Sequence, residues 1–292
     1  MPAPTISIAL PVYNGERYLG AAIESALAQT RGDFELVICD NASNDASDSI
    51  ARRYAARDPR IRCFRNDKNI GAARNFCRAF ELCGGRYFRW LAADDLMASA
   101  ALERCAAVLD TQPDVVLATT AAEIIGEQGE RLRLYDSLQQ LSQATAIERL
   151  KAVQQQDPWC IAVYGLMRRE VLQRTALLEP FSGSDVTLLS ELSLHGRFAE
   201  VSQVLFSRRV HSGAYSSSTS EDNVRAFYAP EAKPGTALRT RTWLHRKANA
   251  LAVWRAPVGG GERLRLFGHV ARMCWWQRRD LVQELSYALR SQ

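Results

Sequence analysis

The feature that most constrains the fold is a regular alternation of short apolar runs and amphipathic segments over about the first 110 residues. In the amphipathic segments, apolar side chains recur at helical spacing. This order predicts βαβ units, and therefore a mostly parallel sheet with helices on both faces. The predicted strands are residues 5–12, 34–39, 61–64 and 87–91, and the predicted helices are residues 16–30, 47–57, 72–83 and 99–109.

Polar residues follow three of these strands at the points where the strands end. They are Tyr13-Asn14, Asp40-Asn41 and Asp94-Asp95. Ligands of parallel α/β sheets bind beyond the carboxyl ends of the strands, so these side chains are candidates for a binding site. The first strand is not followed by Gly-x-Gly-x-x-Gly, and the sequence has no lysine-containing phosphate loop. Both observations argue against a dinucleotide dehydrogenase and a P-loop NTPase.

After Pro113 the pattern becomes more varied. The sequence predicts a hairpin of residues 115–125 and 131–134, helices at 144–156 and 185–195, and strands at 161–167 and 200–211. Residues 212–234 are rich in Ser, Gly and Pro, which is typical of a flexible connector, and two helices are predicted at 236–255 and 262–290. We therefore expect a domain of residues 1–215, a connector of residues 216–235 and a helical extension of residues 236–292.

Positive charge is concentrated in that extension. Residues 236–292 carry eleven Arg and Lys against three acidic residues, a net charge of +8, which leaves −3 for the other 235 residues. A nucleic-acid-binding protein usually carries its basic patch on the folded core. The distribution therefore argues against nucleic acid as a partner.

Cysteine usage and hydropathy bear on the compartment. The seven cysteines are scattered, with no C-x-x-C spacing, as expected for reduced thiols. Residues 1–4 do not resemble a signal peptide, and no apolar run approaches the ~18 residues of a membrane span. We expect a cytoplasmic protein, with peripheral contact at the cytoplasmic face of the membrane as a further hypothesis.

Several segments of the chain, taken in order, resemble family 2 glycosyltransferases with the GT-A fold. They are residues 7–16, 40–45, 69–75, 91–95, 183–185 and 208–211, and the resemblance spans about residues 5–212. It implies a Rossmann-like α/β fold, with a mostly parallel sheet flanked by helices, to which residues 236–292 would add a helical C-terminal extension. It says little about the substrate.

The resemblance also implies a nucleotide-sugar pocket. Its residues would be Pro11, Tyr13, Glu16, Asp40, Arg74 and Asp94. Asp40 would accept a hydrogen bond from the imide of a pyrimidine base, because an ionised carboxylate only accepts. Arg74 would face the diphosphate; its alternative is a solvated position on a helix face. Asp40 could instead form the turn at its strand end, and Tyr13 could simply pack at the end of its strand. Asp45 and Ser43 are better explained as caps of the helix from Ser47.

The family usually places an Asp-x-Asp element where Asp94 and Asp95 stand, and holds Mn²⁺ or Mg²⁺ there. Paired carboxylates suit these hard cations, although acidic residues are also favoured at the start of the next helix. The usual first Asp is Ala92 in this sequence, which makes the metal requirement less certain than the nucleotide site. His211 resembles a third metal ligand; the alternative is a solvated histidine in a polar loop.

Asp185 is the candidate catalytic base. The following Leu188, Leu189 and Leu192 would bury one helix face and hold the carboxylate at the helix N-terminus, facing the site. The alternative role is a helix cap, supported by the neighbouring Ser184. Should Asp185 be only a cap, Glu191 is the next candidate for the base.

The resemblance implies an inverting glycosyltransferase that moves a sugar from a nucleotide diphosphate, UDP by default, to a hydroxyl of a saccharide or lipid-linked acceptor. Cell-surface polysaccharide or glycolipid synthesis is the expected context. Two alternatives remain: an inactive nucleotide-sugar binding or scaffold protein, suggested by Ala92, and a nucleotidyltransferase, which would normally carry a Gly-rich basic loop after its first strand.

The extension supports two interpretations. Trp275 and Trp276 lie among Arg272, Arg278 and Arg279, a combination typical of helices on anionic bilayers. Peripheral membrane attachment would match a lipid-linked acceptor. Alternatively, the two predicted helices pack on the core or on a second subunit.

Overall fold

The computed structural model describes residues 4–135, 141–155, 160–214, 221–228, 230–231 and 241–290. The strands are β1 (Ile6–Val12), β2 (Phe34–Asp40), β3 (Ile61–Arg65), β4 (Tyr87–Trp90), β5 (Leu96–Met97), β6 (Val115–Ile125), β7 (Arg131–Tyr135), β8 (Leu166–Arg168) and β9 (Arg197–Arg209). The helices are α1 (Glu16–Leu27), α2 (Ser47–Ala55), α3 (Ala72–Glu81), α4 (Ala101–Thr111), α5 (Ala146–Gln154), α6 (Arg169–Leu172), α7 (Ser184–His195), α8 (Glu221–Tyr228), α9 (Arg241–Arg255), α10 (Gly260–Trp276) and α11 (Arg278–Arg290).

These strands form one mixed sheet with the order β3-β2-β1-β4-β8-β6-β9-β5, and β7 pairs with β6. The four strands from β3 to β4 are parallel, as the alternation predicts. Every residue of β1 and β2 is buried, because helices cover both faces of the sheet. Alternate residues therefore belong to different cores, with Ile8 and Leu36 on one face and Ala9 and Val37 on the other.

Residues 161–167 do not form the single buried strand that the sequence predicts. Ile161–Tyr164 is a 3₁₀ helix, and Leu166–Arg168 alone pairs as β8. A short buried apolar run has no period that separates strand from helix, so the sequence could not decide between them.

The C-terminal third also differs from expectation. The predicted connector contains helix α8, and its other residues, apart from 230–231, lie outside the described part of the chain. Residues 262–290 form two helices rather than one, because a turn at Gln277 separates α10 from α11. The proposed domain boundaries stay a prediction.

The C-terminal helices pack on the main domain. Ala252 and Val253 of α9 and Leu266 of α10 share an apolar cluster with Leu150 of α5 and Leu194 of α7. Of the alternatives left open for the extension, packing on the core is the one that these contacts show. No helix among the described residues has the length and apolar content needed to cross a bilayer.

Candidate active site

The ends of β1 and β2 are joined by reciprocal hydrogen bonds. Asp45 accepts from the backbone N–H of Glu16, and Glu16 accepts from the N–H of Ala46, at 2.9 and 2.8 Å. Asp45 also accepts from the N–H of Ser47 at 3.0 Å, in the first turn of α2. The N-cap residue of α2 is Ala46, however, so neither Asp45 nor Ser43 is the cap residue that the sequence predicts. The two loops after β1 and β2 are thus held together at the carboxyl edge of the sheet.

Asp40 lies at the end of β2 and is only 1% exposed. Its carboxylate accepts from the backbone N–H and hydroxyl of Ser43, and it forms an ion pair with Arg65 at the end of β3. Arg65 also donates to the backbone carbonyl of Ser43 at 2.9 Å. The carboxylate is therefore fixed in orientation, and any base must be recognised by lone pairs that these donors leave.

Four asparagines, which the sequence analysis missed, form a chain of side-chain hydrogen bonds next to this edge of the sheet. Asn66 donates to the side-chain oxygens of Asn41 and Asn75 at 2.7 and 2.9 Å, and Asn41 donates to Asn69 at 2.8 Å. Asn75 in turn donates to the carbonyl of Cys39 in β2. These bonds fix the start of α3 against the ends of β2 and β3. Asn69 and Asn75 lie in the segment that carries the family resemblance, but their pairing is visible only in the tertiary structure.

The other residues of the predicted nucleotide pocket lie near the same edge. Pro11 is buried in β1, whereas Tyr13, directly after the strand, is 46% exposed. Glu16 is exposed in the first turn of α1. Arg74 is exposed near the start of α3, and its positive charge helps to lower the pKa of Glu231, after the stronger effect of the ion pair with Lys68. Their contacts with a nucleotide stay predictions.

Two of the three predicted metal ligands come together. Asp94 follows β4 and His211 follows β9, and the distance from Nε2 of His211 to Oδ2 of Asp94 is 3.1 Å. The ring of Tyr18 lies 4.8 Å from the His211 ring and 4.6 Å from the Arg209 guanidinium, which fixes the histidine from behind. The pair joins two segments 117 residues apart.

Asp95 is turned away from this pair. It is 3% exposed, and its Oδ1 accepts from the backbone N–H of Arg209 at 2.9 Å. Burial, and then the negative charge of Asp94, raise the pKa of its carboxyl well above the ordinary value. The predicted metal site needs both carboxylates to be accessible to a cation, and the burial of Asp95 contradicts this for Asp95. The two adjacent side chains have different partners: His211 for Asp94 and the backbone N–H of Arg209 for Asp95.

Asp95→Ala is therefore expected to destabilise the protein by about 1–3 kcal/mol, because it leaves a buried N–H of Arg209 without an acceptor. Asp95→Asn keeps an acceptor oxygen and serves as the control for the loss of charge alone. Thermal unfolding measures the difference, at about 2–4 °C per kcal/mol for a chain of this size. An Ala variant that melts with wild type would show that the contact contributes nothing.

The Asp94–His211 pair is suited to a divalent cation. It offers a carboxylate oxygen and an imidazole nitrogen, both usual metal donors. No group of three or more His, Cys, Asp or Glu side chains in the described residues is arranged to hold a metal ion. Two protein ligands match the way Mg²⁺ is bound in many enzymes, where phosphate oxygens and water complete the shell.

Asp185 lies in the first turn of α7, whose N-cap is Gly183, so neither Ser184 nor Asp185 is the cap residue. Its Oδ1 accepts from the N–H of Val186 at 2.9 Å. Burial raises the pKa of the Asp185 carboxyl, against the opposing effects of this helix end and of the positive charge of Arg208. Leu188, Leu189 and Leu192 are buried as expected. The Asp185 side chain is only partly buried, so it stays accessible to an acceptor. A partly buried carboxylate with a raised pKa is typical of a general base.

Tyr164 links the two halves of the site. Its pKa is raised by burial and then by the negative charges of Asp95, Asp94 and Asp185, while Arg208 acts in the opposite direction. The ring stacks on Phe206 of β9 at 5.5 Å. The negative charges of the carboxylates after β4 and of the carboxylate of α7 therefore all act on one tyrosine. No sequence signal marked Tyr164, which lies in the apolar run interpreted as a strand.

Glu191, the alternative base, is already paired. Both of its carboxylate oxygens accept from Arg255 of α9, at 2.6 and 3.0 Å, and one also accepts from the N–H of Ala176. At 3% exposure it has no access to a substrate. This geometry favours Asp185 over Glu191.

Comparison with known proteins gives consistent results. The family model described as glycosyl transferase family 2 matches residues 7–175. The chain is 40% identical over 103 residues to a chondroitin synthase of Escherichia coli, which covers 35% of this chain and 15% of that protein. It is 30% identical over 135 residues to an uncharacterised glycosyltransferase of Methanocaldococcus jannaschii, which covers 46% of this chain and 47% of that protein. The chain thus spans less than half the length of either relative.

Solved structures share the fold at low sequence identity. TarS 1–349 of S. aureus in complex with UDP-GlcNAc superposes with a TM-score of 0.69 at 13% identity, over 96% of this chain and 79% of that chain. The mannosyltransferase PcManGT from Pyrobaculum calidifontis, in complex with GDP-Man and Mn²⁺, gives a TM-score of 0.56 at 15% identity, over 97% and 84% of the two chains. Both coverages include the C-terminal helices, so the GT-A fold with a helical C-terminal region is confirmed.

Proposed function

Because the chain belongs to glycosyl transferase family 2, we propose that it transfers a sugar from a nucleotide diphosphate donor to an acceptor hydroxyl with inversion. The observation that carries this proposal is the Asp94–His211 pair, whose Oδ2 and Nε2 atoms lie 3.1 Å apart, in one grouping with Asp185, whose negative charge raises the pKa of the same Tyr164 as that of Asp94. One side of that grouping, with His211, has the chemistry to hold a metal-bound diphosphate, and the other has the chemistry of a general base.

In this proposal the nucleotide lies over the ends of β1 and β2. Pro11, Tyr13 and Glu16 would line the base and ribose, and Asp40, held by Arg65 and Ser43, would accept from the base imide. UDP is the preferred nucleotide, supported by the UDP-GlcNAc complex of TarS, although the GDP-Man complex of PcManGT keeps GDP open.

Asp94 and His211 would hold Mn²⁺ or Mg²⁺ directly. Asp95, whose Oδ1 accepts from the backbone N–H of Arg209, would support them from the protein interior. The cation, when bound, would neutralise the charge of the departing diphosphate. Asp185 would accept the proton of the acceptor hydroxyl. The hydroxyl oxygen would bond to the anomeric carbon of the donor sugar as the bond from that carbon to the diphosphate breaks. Arg74 stays the predicted diphosphate contact. Arg208 is a second candidate for this contact, because its positive charge opposes the rise in pKa of both Asp95 and Asp185.

A panel of nucleotide sugars tests the function. UDP-GlcNAc, other UDP-sugars, GDP-Man and a dTDP-sugar are each incubated with the protein and Mn²⁺, and nucleoside diphosphate release is measured. A parallel thermal-shift screen reports binding, since a ligand at 100 times Kd adds about 2.7 kcal/mol of stability. Turnover of one donor supports the transferase. Binding without turnover of any donor would favour the inactive scaffold, and pyrophosphate release from a nucleoside triphosphate would favour the nucleotidyltransferase.

The acceptor is proposed to be a saccharide or a lipid-linked saccharide, in polysaccharide or glycolipid synthesis at the cytoplasmic face of the membrane. The outer face of α10 supports a membrane contact. Leu264, Trp275 and Trp276 are 75%, 65% and 63% exposed. Arg265 and Arg272 are exposed beside them. An apolar face flanked by arginines is typical of helices that lie on anionic lipid.

Flotation with vesicles tests this contact. We expect the protein to float with vesicles rich in phosphatidylglycerol at low salt, and to remain unbound with pure phosphatidylcholine. The double substitution Trp275→Ser, Trp276→Ser should abolish flotation, because it removes the exposed tryptophan surface of α10. Leu132→Ser, an exposed apolar position on β7, is the matched control. Wild type that stays unbound on anionic vesicles excludes the membrane contact, and a dimer in solution would then assign this face to a second subunit.

A further inference from the structure

Helix α9 of the C-terminal extension lies against the segment that carries the candidate base. His245 projects onto the loop before α7, where its Nε2 lies 2.9 Å from the carbonyl oxygen of Ser182. A carbonyl only accepts, so Nε2 carries the proton and donates. Burial lowers the pKa of His245, which favours the neutral ring near pH 7, and the bond to the Ser182 carbonyl selects the Nε2–H tautomer of that ring.

The His245 ring lies so close to residue 183 that glycine is favoured at this position. Gly183 has φ of +84°, and a Cβ at this position would lie 2.8 Å from both Cε1 and Nε2 of His245. A side chain at residue 183 is therefore excluded both by the backbone conformation and by the imidazole. The ring also packs on Phe181, with the ring centroids 5.3 Å apart. Residues 181–183 are thus clamped directly before Ser184 and Asp185.

A second contact anchors the other end of the same helix. Arg255 lies ten residues beyond His245, about 15 Å along the helix axis, and forms the two-point ion pair with the buried Glu191 of α7. A planar guanidinium bound to both carboxylate oxygens fixes orientation as well as distance. Helix α9 is therefore held parallel to the packing face of α7 at two points, and His245 cannot move away from residues 181–183 without breaking this register.

We propose that His245 is a positioning residue for catalysis, which clamps residues 181–183 and so directs the Asp185 carboxylate at the acceptor hydroxyl. The C-terminal extension is then an obligatory part of the active site rather than an appendage. This inference rests on the proposed function, because it assigns His245 a task in the same transfer reaction. His245 itself touches neither donor nor acceptor in this account.

Amide substitutions test the clamp. The Nε2 amide of glutamine can reproduce the bond to Ser182, whereas the shorter asparagine cannot reach it. We expect His245→Asn to lower kcat for UDP-GlcNAc turnover by about 10–100-fold, since small misplacements of a catalytic group cost this much. The Kd for UDP in Mn²⁺, measured by calorimetry, should stay within about twofold, and His245→Gln should restore most of kcat. Lys247→Ala, exposed on the same helix, is the control.

A purely structural histidine would lower the melting temperature in both amide variants and leave kcat unchanged in the folded protein, and that result would overturn the proposal. So would equal kcat values for Asn and Gln. If wild type turns over no donor, the proposed function fails instead, and ¹⁵N spectra of histidine-labelled protein still test the clamp. The chain has four histidines. A His245 ring that is not the Nε2–H tautomer contradicts the clamp without reference to activity.

Discussion

Asp185→Asn is expected to lower kcat by about 10²–10⁴-fold while the Kd of the donor stays nearly constant, because it removes the proton acceptor for the attacking hydroxyl. Asparagine keeps an oxygen that can accept from the N–H of Val186, so the helix start is preserved. Alanine would lose this bond and mix a stability effect of ~1 kcal/mol with the loss of the base. Steady-state kinetics and donor binding on the same preparation check the result.

Asp48→Asn is the matched control, because Asp48 also lies in the first turn of a helix but forms an i,i+4 ion pair with the exposed Arg52. The pH profile adds a second test. Burial raises the pKa of Asp185, so the base becomes protonated, and kcat falls, at a higher pH than for an ordinary carboxylate. The Asn variant should lack this acidic limb. A variant that melts lower but turns over like wild type would show that Asp185 is structural.

Nucleotide affinity is expected to depend on Mn²⁺ or Mg²⁺, because the carboxylates after β4 repel a diphosphate unless a cation lies between them. Calorimetry should show tighter UDP binding in Mn²⁺ than in EDTA. Asp94→Ala should remove most of this difference, a loss on the order of 10–100-fold in Mn²⁺. His211→Gln should weaken the metal effect in the same direction, since His211 is the second ligand of the pair.

Asp114→Ala is the control for this experiment, because Asp114 precedes β6 and forms a surface ion pair with Arg197. It should leave UDP affinity unchanged in both buffers. Equal affinity for UDP in EDTA and in Mn²⁺ for wild type would refute the metal role of Asp94 and His211. The loss of the usual first carboxylate at Ala92 would then be the physical reason, since one contact to ribose or metal is missing.

Local patterns predicted the first half of the fold closely. The apolar runs and helical spacings of residues 5–91 gave four strands and three helices whose observed bounds differ by three residues or fewer. The polar residues at the strand ends lie at one edge because parallel strands present the same end together. The helix from residue 185 was also predicted, and so was a strand at residues 200–211, which in the structure ends at Arg209, before His211. Most candidate site residues were therefore located on or beside the correct element.

Side-chain direction was not predictable in this way. Asp94 and Asp95 are neighbours with the same chemistry, and the backbone N–H of Arg209, more than a hundred residues away, decides which of them faces inward. The same holds for Tyr164 and His245, whose partners lie on other elements. Their sequence neighbourhoods, an apolar run and a basic helix, carry no signal of a site.

The sequence by itself determined the family, the parallel core and the edge of the sheet at which the proposed site lies, because these depend on periodicity and on motifs a few residues long. Only the tertiary structure decided which partner each carboxylate has, including the ion pair of Glu191 with Arg255. It also decided that the C-terminal helices share an apolar cluster with α7. Those contacts depend on distances between segments far apart in the chain. Local spacing cannot encode them, because packing fixes them only after the sheet and helices have assembled.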